Sequence, residues 1–420
     1  MNRDPVNGDP VNGGPVNGDP RDELDPDLVE LAAAHGVATG YRDGARRPVR
    51  VAADVVIGVL GLLDVDATTP HARRAALALA RKRAAEGALP GTIAVRPDRP
   101  YPLPGPAVLV DEAGTRRELD GAVPAGLEPG WYRLELTEQE VTVVVAPSAL
   151  PEPERGWGWM LQLYALHSDR SWGIGDLGDL RELVQWTGRE HGASAVLLNP
   201  LHAVTPVPPV QPSPYTPSSR RFGTPLALRV TDLDAYARAA DAVRAEVDAL
   251  RPVTGEQIEY DRIWAAKRSA LELLWHSEGR PALDGSADLV EFATFCALAE
   301  RYGARWSRWP VGLRHPKGPD VEAARRELAP RVAFHAWVQQ QVQEQLAGAR
   351  DAGRAAGVRV IHDLAVGVDP EGADAWALQD VLALSVDVGA PPDDFSRQSP
   401  ATWSMRSPSA WRSSARSRSR

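Results

Sequence analysis

Residues 159–201 read WMLQLYALHSDRSWGIGDLGDLRELVQWTGREHGASAVLLNPL, and this stretch determines the predicted fold class. It begins with one apolar run, WMLQLYAL, and ends with another, ASAVLLNPL, each of strand length. Between them, DLRELVQWTGREHG has the period of a helix, with Leu180, Leu183, Val184 and Thr187 on one face and Gly192 at its end. The order strand–helix–strand predicts an α/β protein with a parallel sheet.

Downstream of this stretch the same alternation continues. Residues 230–331 are mostly helical in pattern, a further helix follows over 334–357, and VRVIHDLAVGV at 358–368 has the composition of a third strand. Repeated strand–helix alternation is typical of a parallel sheet or of a (β/α) barrel.

Upstream of this stretch the pattern is different. WYRLELT at 131–137 alternates apolar and polar residues, and short strands of this kind between Gly and Pro turns indicate a small β-sandwich. We therefore expect five segments: a disordered Pro/Gly/Asn repeat tail (1–24), a short helical segment (25–66), a β-sandwich domain (67–150), the α/β region with its helical insertion at about 230–331 (156–395), and a Ser/Arg tail (396–420).

Composition excludes several classes of partner. The formal net charge is −9, which disfavours nucleic acid or an anionic membrane as the main partner. No run of 18 apolar residues and no secretory signal is present, so we predict neither membrane insertion nor export. The single cysteine, Cys296, rules out an intramolecular disulfide, and we interpret it as a buried thiol of a cytoplasmic protein.

The segment Gly173–Gly178 matches the GxGxxG pattern of dinucleotide-binding sites. However, seven residues separate it from Ala165, where the predicted strand ends, and the second strand ends in Asn199 instead of an acidic residue. Asp176 would also repel a pyrophosphate. We therefore favour a strand followed by an active-site loop over a nucleotide site.

A proline-rich loop follows the second strand. It contains seven prolines from Pro200 to Pro217, so its backbone is stiff and extended. Such a loop holds an aromatic side chain such as Tyr215 in one orientation, which favours sugar recognition because less ordering entropy is lost on binding. A purely structural loop remains the alternative.

Five ordered motifs carry a resemblance to a known family: WGIGDLGDL, NPLHA, SPYTPSSRRF, IHDLAVGVDPEGADAW and VGAPPDDF. Together they resemble the bacterial amylomaltase (disproportionating enzyme) family over about residues 25–395. The resemblance implies a partial (β/α)8 barrel with a helical insertion, preceded by the small N-terminal β-sandwich. It also implies 4-α-glucanotransferase activity on maltodextrins by a retaining mechanism, with no metal and no organic cofactor.

The resemblance also implies which residues bind the glucan. Ser213 and Tyr215 match the donor-side binding segment, and Asp363 matches the aspartate at the end of the third strand, although a structural role for Asp363 is equally open. Glu371, with Asp374, lies in the next loop and is a further candidate for binding sugar. His202 and His362 have no third ligand at metal spacing, so we interpret them as hydrogen-bonding residues.

The sequence departs from the family at its end. The R-x-D-H, E-D-L-G and later H-D segments that carry the family's catalytic carboxylates do not follow Phe395. We therefore predict no catalytic residue in this chain and expect it to be truncated and inactive by itself. A non-catalytic glucan-binding protein is the alternative. Residues 396–420, with nine Ser and six Arg, are interpreted as a shifted reading frame, the alternative being a genuine basic tail.

Overall fold

The computed structural model describes residues 24–42, 46–85, 89–137, 139–152, 154–253, 255–282, 285–387 and 406–408. These form two compact units, one up to Leu150 and one from Pro151 onward. The predicted N-terminal repeat tail lies outside the described residues, apart from Leu24. The predicted Ser/Arg tail also lies outside them, apart from residues 406–408.

The first unit begins with three helices: α1 (Pro26–Ala34), α2 (Ala53–Leu62) and α3 (Pro70–Ala85). Strands β1 (Gly40–Arg42) and β2 (Pro48–Arg50) pair antiparallel between the first two helices. Helix α3 occupies the first residues of the predicted β-sandwich domain (67–150), whose bounds stay a prediction. Composition explains the helix, because HARRAALALARKRAA is made almost entirely of Ala, Leu, Arg and Lys, the strongest helix formers.

A five-stranded sheet follows, with the order β3-β9-β8-β5-β6. Its strands are β3 (Thr92–Val95), β5 (Ala107–Val110), β6 (Arg116–Leu119), β8 (Gly130–Glu135) and β9 (Glu140–Val145). Leu134 of β8 is fully buried while its neighbour Arg133 is exposed, as the alternation predicts. Two very short strands, β4 (Tyr101–Pro102) and β7 (Ala122–Val123), form a separate ribbon, and Val123 packs into the core of the main sheet. Two sheets of similar size, as a sandwich implies, are therefore not seen among the described residues.

The second unit is organised around three parallel strands: β10 (Gly158–Leu161), β11 (Ala195–Leu198) and β14 (Arg359–His362). Helix α4 (Leu177–His191) connects β10 to β11. Gly192 caps its end with φ 65°, a left-handed conformation that glycine adopts without strain. Leu180, Val184 and Thr187 are buried as predicted, because they lie on one face of the helix.

Between β11 and β14 the chain forms a hairpin and then helices. The hairpin is β12 (His202–Ala203) with β13 (Ser219–Gly223), and the helices are α5 (Asp234–Arg238), α6 (Asp241–Ala249), α7 (Tyr260–Ser277), α8 (Ala287–Tyr302), α9 (Val321–Glu327) and α10 (Ala329–Ala355). Helix α10 packs against both α4 and α8. After β14 come α11 (Ala373–Ala377) and a strand pair, β15 (Leu382–Asp387) with β16 (Arg406–Pro408).

Within the described residues the parallel sheet has three strands, so the (β/α)8 barrel stays a prediction. In the part of the chain that the structure describes, no helix has both the length and the apolar character needed to cross a membrane.

Candidate functional site

An open pocket lies at the carboxyl ends of the parallel strands, where the loops that follow β10 and β11 converge. Its empty volume, including solvent at the mouth, is about 460 Å³. The side chains that line it come from three loops and one helix: Leu163, Tyr164, Ile174, Asn199, His202, Val204, Gln211, Pro212, Ser213, Pro214, Thr224, Leu226, Ala227 and Tyr260.

Helix α7 anchors the proline-rich loop against this pocket. The carboxylate of Asp261 accepts a hydrogen bond from the backbone N–H of Val210 at 2.7 Å. The indole N–H of Trp264 donates to the carbonyl of Pro206 at 3.0 Å. The helical insertion therefore fixes a loop that the proline content already stiffens.

Asn199 holds the start of the same loop. Its Oδ1 accepts from the backbone N–H of Leu163 at 2.7 Å, and its Nδ2 donates to the carbonyl of Pro200 at 2.8 Å. The buried amide thus ties the loop after β10 to the loop after β11.

Of the four predicted binding residues, Ser213 lines the pocket, whereas Tyr215 and Asp363 lie close to each other beside it. The Ser213 hydroxyl accepts a 3.4 Å hydrogen bond from the N–H of Tyr215. The Tyr215 hydroxyl lies close to the carboxylate of Asp363. Burial and the negative charge of Asp363 both raise the pKa of Tyr215, so the hydroxyl keeps its proton.

Asp363 reaches this position because it directly follows β14. Its backbone N–H donates to the carbonyl of Leu198 at 3.0 Å, which extends the ladder between β11 and β14 by one residue. Tyr215 stays 36% exposed, so its ring is available to a ligand. Whether these three residues bind sugar stays a prediction.

Glu371, the fourth predicted residue, does not line the pocket. Its two carboxylate oxygens accept hydrogen bonds from Ser307, one from the hydroxyl at 2.8 Å and one from the backbone N–H at 3.1 Å. Asp374 is likewise engaged: it is buried and accepts from the Ser219 hydroxyl at 2.7 Å and from the N–H of Arg220 at 2.8 Å. Both carboxylates therefore hold loops together, and sugar binding by Glu371 stays a prediction.

His202 lines the pocket and is half-buried, whereas His362 is exposed at the end of β14. His202 Nε2 accepts a 3.3 Å hydrogen bond from the N–H of Ala365, and burial together with the charge of Arg220 lowers its pKa. Partial desolvation also lowers the pKa of His362. Among the described residues, no three His, Cys, Asp or Glu side chains lie together as a metal site would require.

The glycines of the GxGxxG segment serve close packing. A Cβ at Gly175 would lie 2.0 Å from the carbonyl oxygen of Leu163, and a Cβ at Gly178 would lie 2.3 Å from Nε of Arg229. Asp176 caps helix α4 by accepting from the N–H of Asp179, and the Asp179 carboxylate accepts from the N–H of Asp176. Because these carboxylates occupy the start of the helix, the dinucleotide alternative finds no support here.

A buried charge cluster lies behind the pocket, and sequence reasoning missed it. Arg229 is fully buried and pairs with Asp176 at 2.8 Å, with Glu182 at 2.7 Å and with Asp179. Burial alone would lower the pKa of Arg229, but Asp176 and Asp179 outweigh it and raise the pKa. Lys267 of α7 is also fully buried.

One signal in the sequence could have revealed Lys267. Tyr260, Ile263, Trp264 and Lys267 follow the spacing i, i+3, i+4, i+7, so all four lie on one face of α7. Ile263 and Trp264 are buried against the pocket's apolar residues, and Tyr260 lines the pocket itself. A lysine that continues such a face must be buried and must find oxygen partners.

Comparisons with known proteins identify the family of the chain. A family model described as 4-alpha-glucanotransferase (glycoside hydrolase family 77) matches residues 161–406. The 4-alpha-glucanotransferase of Mycobacterium tuberculosis is 41% identical, with 89% of this chain and 60% of the relative covered. That of Haemophilus influenzae is 29% identical over 63% of this chain and 44% of the relative.

Among solved structures, the amylomaltase from Corynebacterium glutamicum superposes with a TM-score of 0.71 at 28% identity, covering 91% of this chain and 60% of that one. This chain thus spans about three fifths of the length of the M. tuberculosis and C. glutamicum proteins that it matches. Since the family model matches more than half of its residues, the chain belongs to the 4-alpha-glucanotransferase family of glycoside hydrolase family 77.

Proposed function

We propose that this chain binds an α-1,4-linked glucan in the pocket beside Tyr215, as part of a 4-α-glucanotransferase that transfers glucan segments between maltodextrins. The observation that carries the proposal is the meeting of Ser213, Tyr215 and Asp363 at the carboxyl ends of the strands. An exposed aromatic face next to hydroxyl and carboxylate groups suits a sugar, which has an apolar C–H face and a rim of hydroxyls.

We propose a retaining mechanism for the transfer. One carboxylate attacks the anomeric carbon while a carboxylic acid protonates the leaving glycosidic oxygen, which gives a covalent glycosyl-enzyme. The second group then takes the proton from the acceptor's 4-hydroxyl, and that oxygen displaces the enzyme. Such a mechanism needs two carboxyl groups about 5–5.5 Å apart. We assign neither of them to this chain, whose residues would bind and orient the donor.

Glucan binding without catalysis is the second candidate function. It is favoured by the chemistry of the lining, which consists of tyrosine rings, hydroxyls, amides, the imidazole of His202 and apolar side chains. These groups can hold a ligand, but none of them is a nucleophile paired with an activating base.

Titration calorimetry with maltoheptaose tests the proposal, and cellohexaose, which is β-1,4-linked, is the control ligand. We expect the 420-residue chain to bind maltoheptaose only. No binding of either ligand would contradict a glucan site. Glucose release from maltotriose by the same preparation would separate the two candidates, because transfer releases glucose and binding alone does not.

A further inference from the structure

One wall of the pocket is a short segment, residues 224–229, that is held from behind by buried cations. Thr224, Leu226 and Ala227 line the pocket. Their backbone forms a single 3-10 turn over Pro225–Ala227, which has few hydrogen bonds of its own. Interactions from outside the segment must therefore fix its position.

Lys267 supplies two of these interactions. Its ammonium donates to the carbonyl of Leu226 at 2.6 Å and to the carbonyl of Leu228 at 2.8 Å. Both distances are short, as expected of hydrogen bonds with a charged donor. The two carbonyls flank Ala227, so one side chain holds both sides of a residue that faces the pocket.

Arg229 fixes the end of the same segment. Its side chain pairs with the carboxylates at the start of α4, as described above, and Gly178 provides the space for its guanidinium. Gln345 of α10 hydrogen-bonds to the backbone of Arg229. Its Oε1 accepts from the Arg229 N–H at 3.0 Å, and its Nε2 donates to the Arg229 carbonyl at 2.7 Å.

Burying the charged lysine costs desolvation free energy that an apolar residue would avoid. Burial opposes its positive charge, while the nearby carboxylates of Asp176 and Asp179 favour it. Burial raises the pKa of Asp176, and the positive charges of Lys267 and Arg229 both oppose that rise. A methionine of similar length would fill the same volume without desolvating a charge. What methionine cannot do is hold two carbonyl oxygens in place.

Lys267 also connects the wall to another residue of the pocket. It lies two turns after Tyr260 on the same face of α7, and Tyr260 lines the pocket. A single helix thus presents one pocket residue directly and fixes the 224–229 wall through Lys267. Movement of the wall relative to Tyr260 would change the shape of the pocket.

We propose that Lys267 is a positioning residue of this pocket: by holding the carbonyls of Leu226 and Leu228 it fixes the 224–229 wall and so sets the affinity for an α-1,4-glucan chain. This inference rests on the proposed function for the nature of the ligand. The positioning itself is a property of the protein without ligand, so the two can be tested separately.

The test compares Lys267→Met with Arg331→Met in the full 420-residue chain by titration calorimetry with maltoheptaose. Arg331 is the control, because it is a partly buried cation in the same helical region, paired with Glu300 at 2.6 Å and Glu272 at 2.9 Å, and it does not line the pocket. We expect Lys267→Met to raise the Kd about ten-fold or more, the effect of losing hydrogen bonds with a charged donor. Arg331→Met should lower the melting temperature but leave the Kd unchanged.

Hydrogen exchange of the same two variants gives a readout that needs no ligand. We expect the amides of Leu226 to Arg229 to exchange faster in Lys267→Met and to be unaffected in Arg331→Met. If the wild-type chain binds no maltoheptaose, the proposed function fails, and the exchange result alone then decides the inference on Lys267.

Three results would overturn the inference. One is an unchanged Kd and unchanged local exchange in Lys267→Met. Another is an equal loss of affinity in both variants, which would reflect general destabilisation. The third concerns folding and uses a parallel variant, Lys267→Gln, whose shorter amide can still donate to a carbonyl. If neither Lys267→Met nor Lys267→Gln folds, the role of Lys267 is in folding and not in positioning.

Discussion

The hydroxyl of Tyr215 lies close to the carboxylate of Asp363, although one residue belongs to the proline-rich loop and the other follows the third parallel strand. The negative charge of Asp363 favours the protonated form of the tyrosine. The two side chains thus bring the two loops together beside the pocket.

Replacing Tyr215 tests whether this arrangement binds glucan. Tyr215→Phe removes the hydroxyl and keeps the ring, so we expect maltoheptaose affinity to fall up to about ten-fold, the effect of losing one hydrogen bond to the sugar. Tyr215→Ala also removes the ring and should cost about 1–3 kcal/mol of binding free energy. Calorimetry measures both. Tyr302→Phe, at a tyrosine that is 39% exposed on α8, is the control and should bind normally. Unchanged affinity in Tyr215→Phe would make the loop structural only.

Glu371→Gln separates a structural carboxylate from a sugar-binding one. Because both oxygens of Glu371 accept from Ser307, we expect the free energy of unfolding to fall by about 1 kcal/mol and the glucan affinity to stay the same. Denaturant unfolding and calorimetry give the two quantities. A loss of affinity at full stability would instead support the sequence-based prediction that Glu371 contacts sugar.

Arg229→Met probes the buried cluster. The substitution leaves Asp176 and Asp179 without their guanidinium partner, so we expect unfolding to require about 3–5 kcal/mol less. Arg301→Met is the matched control, because the Arg301–Glu327 pair is exposed and is expected to contribute about 0–1 kcal/mol. Similar losses in the two variants, measured by denaturant unfolding, would show that burial adds nothing to the cluster.

Gly178→Ala tests the close approach of Arg229 to α4. The added Cβ would lie 2.3 Å from Nε, which forces the guanidinium away from its carboxylates and should cost about 1–3 kcal/mol or more. Gly348→Ala, on α10, meets no atom within 4 Å and should stabilise the helix by about 0.5–1 kcal/mol. Opposite shifts in melting temperature are therefore expected, and shifts of the same sign would be inconsistent with this packing.

Lys267 should give the protein a recognisable dependence of stability on pH. Burial lowers its pKa from 10.5 to about 8, so between these values the unfolded chain binds a proton that the folded chain does not. The contribution of Lys267 to the free energy of unfolding is therefore least favourable below pH 8. It rises as the pH increases to 10.5, by about 3 kcal/mol in total. Subtracting the unfolding free energy of Lys267→Met from that of wild type at each pH isolates this rise. A flat difference would mean that Lys267 titrates normally.

Local patterns in the sequence were enough to predict most of the secondary structure of the second unit. The apolar periodicity of 159–201 predicted β10, α4 and β11 in their observed order, and Gly192 was correctly placed at the helix end. The ordered motifs pointed to the family that the comparisons support. Helix α3 was missed because its alanine-rich pattern was assigned to a neighbouring domain, although its composition is strongly helical.

What the sequence by itself determined, then, is the order of elements, the family and the residue types that approach the pocket, since all of these depend on patterns within a few residues of each other. Only the tertiary structure decided which residues contact each other. It paired Tyr215 with Asp363, directed Glu371 to Ser307, and buried Lys267 beneath two carbonyls. Each of these contacts joins residues far apart in the chain, and their geometry follows from how α7 and the three strands pack, which no local period encodes.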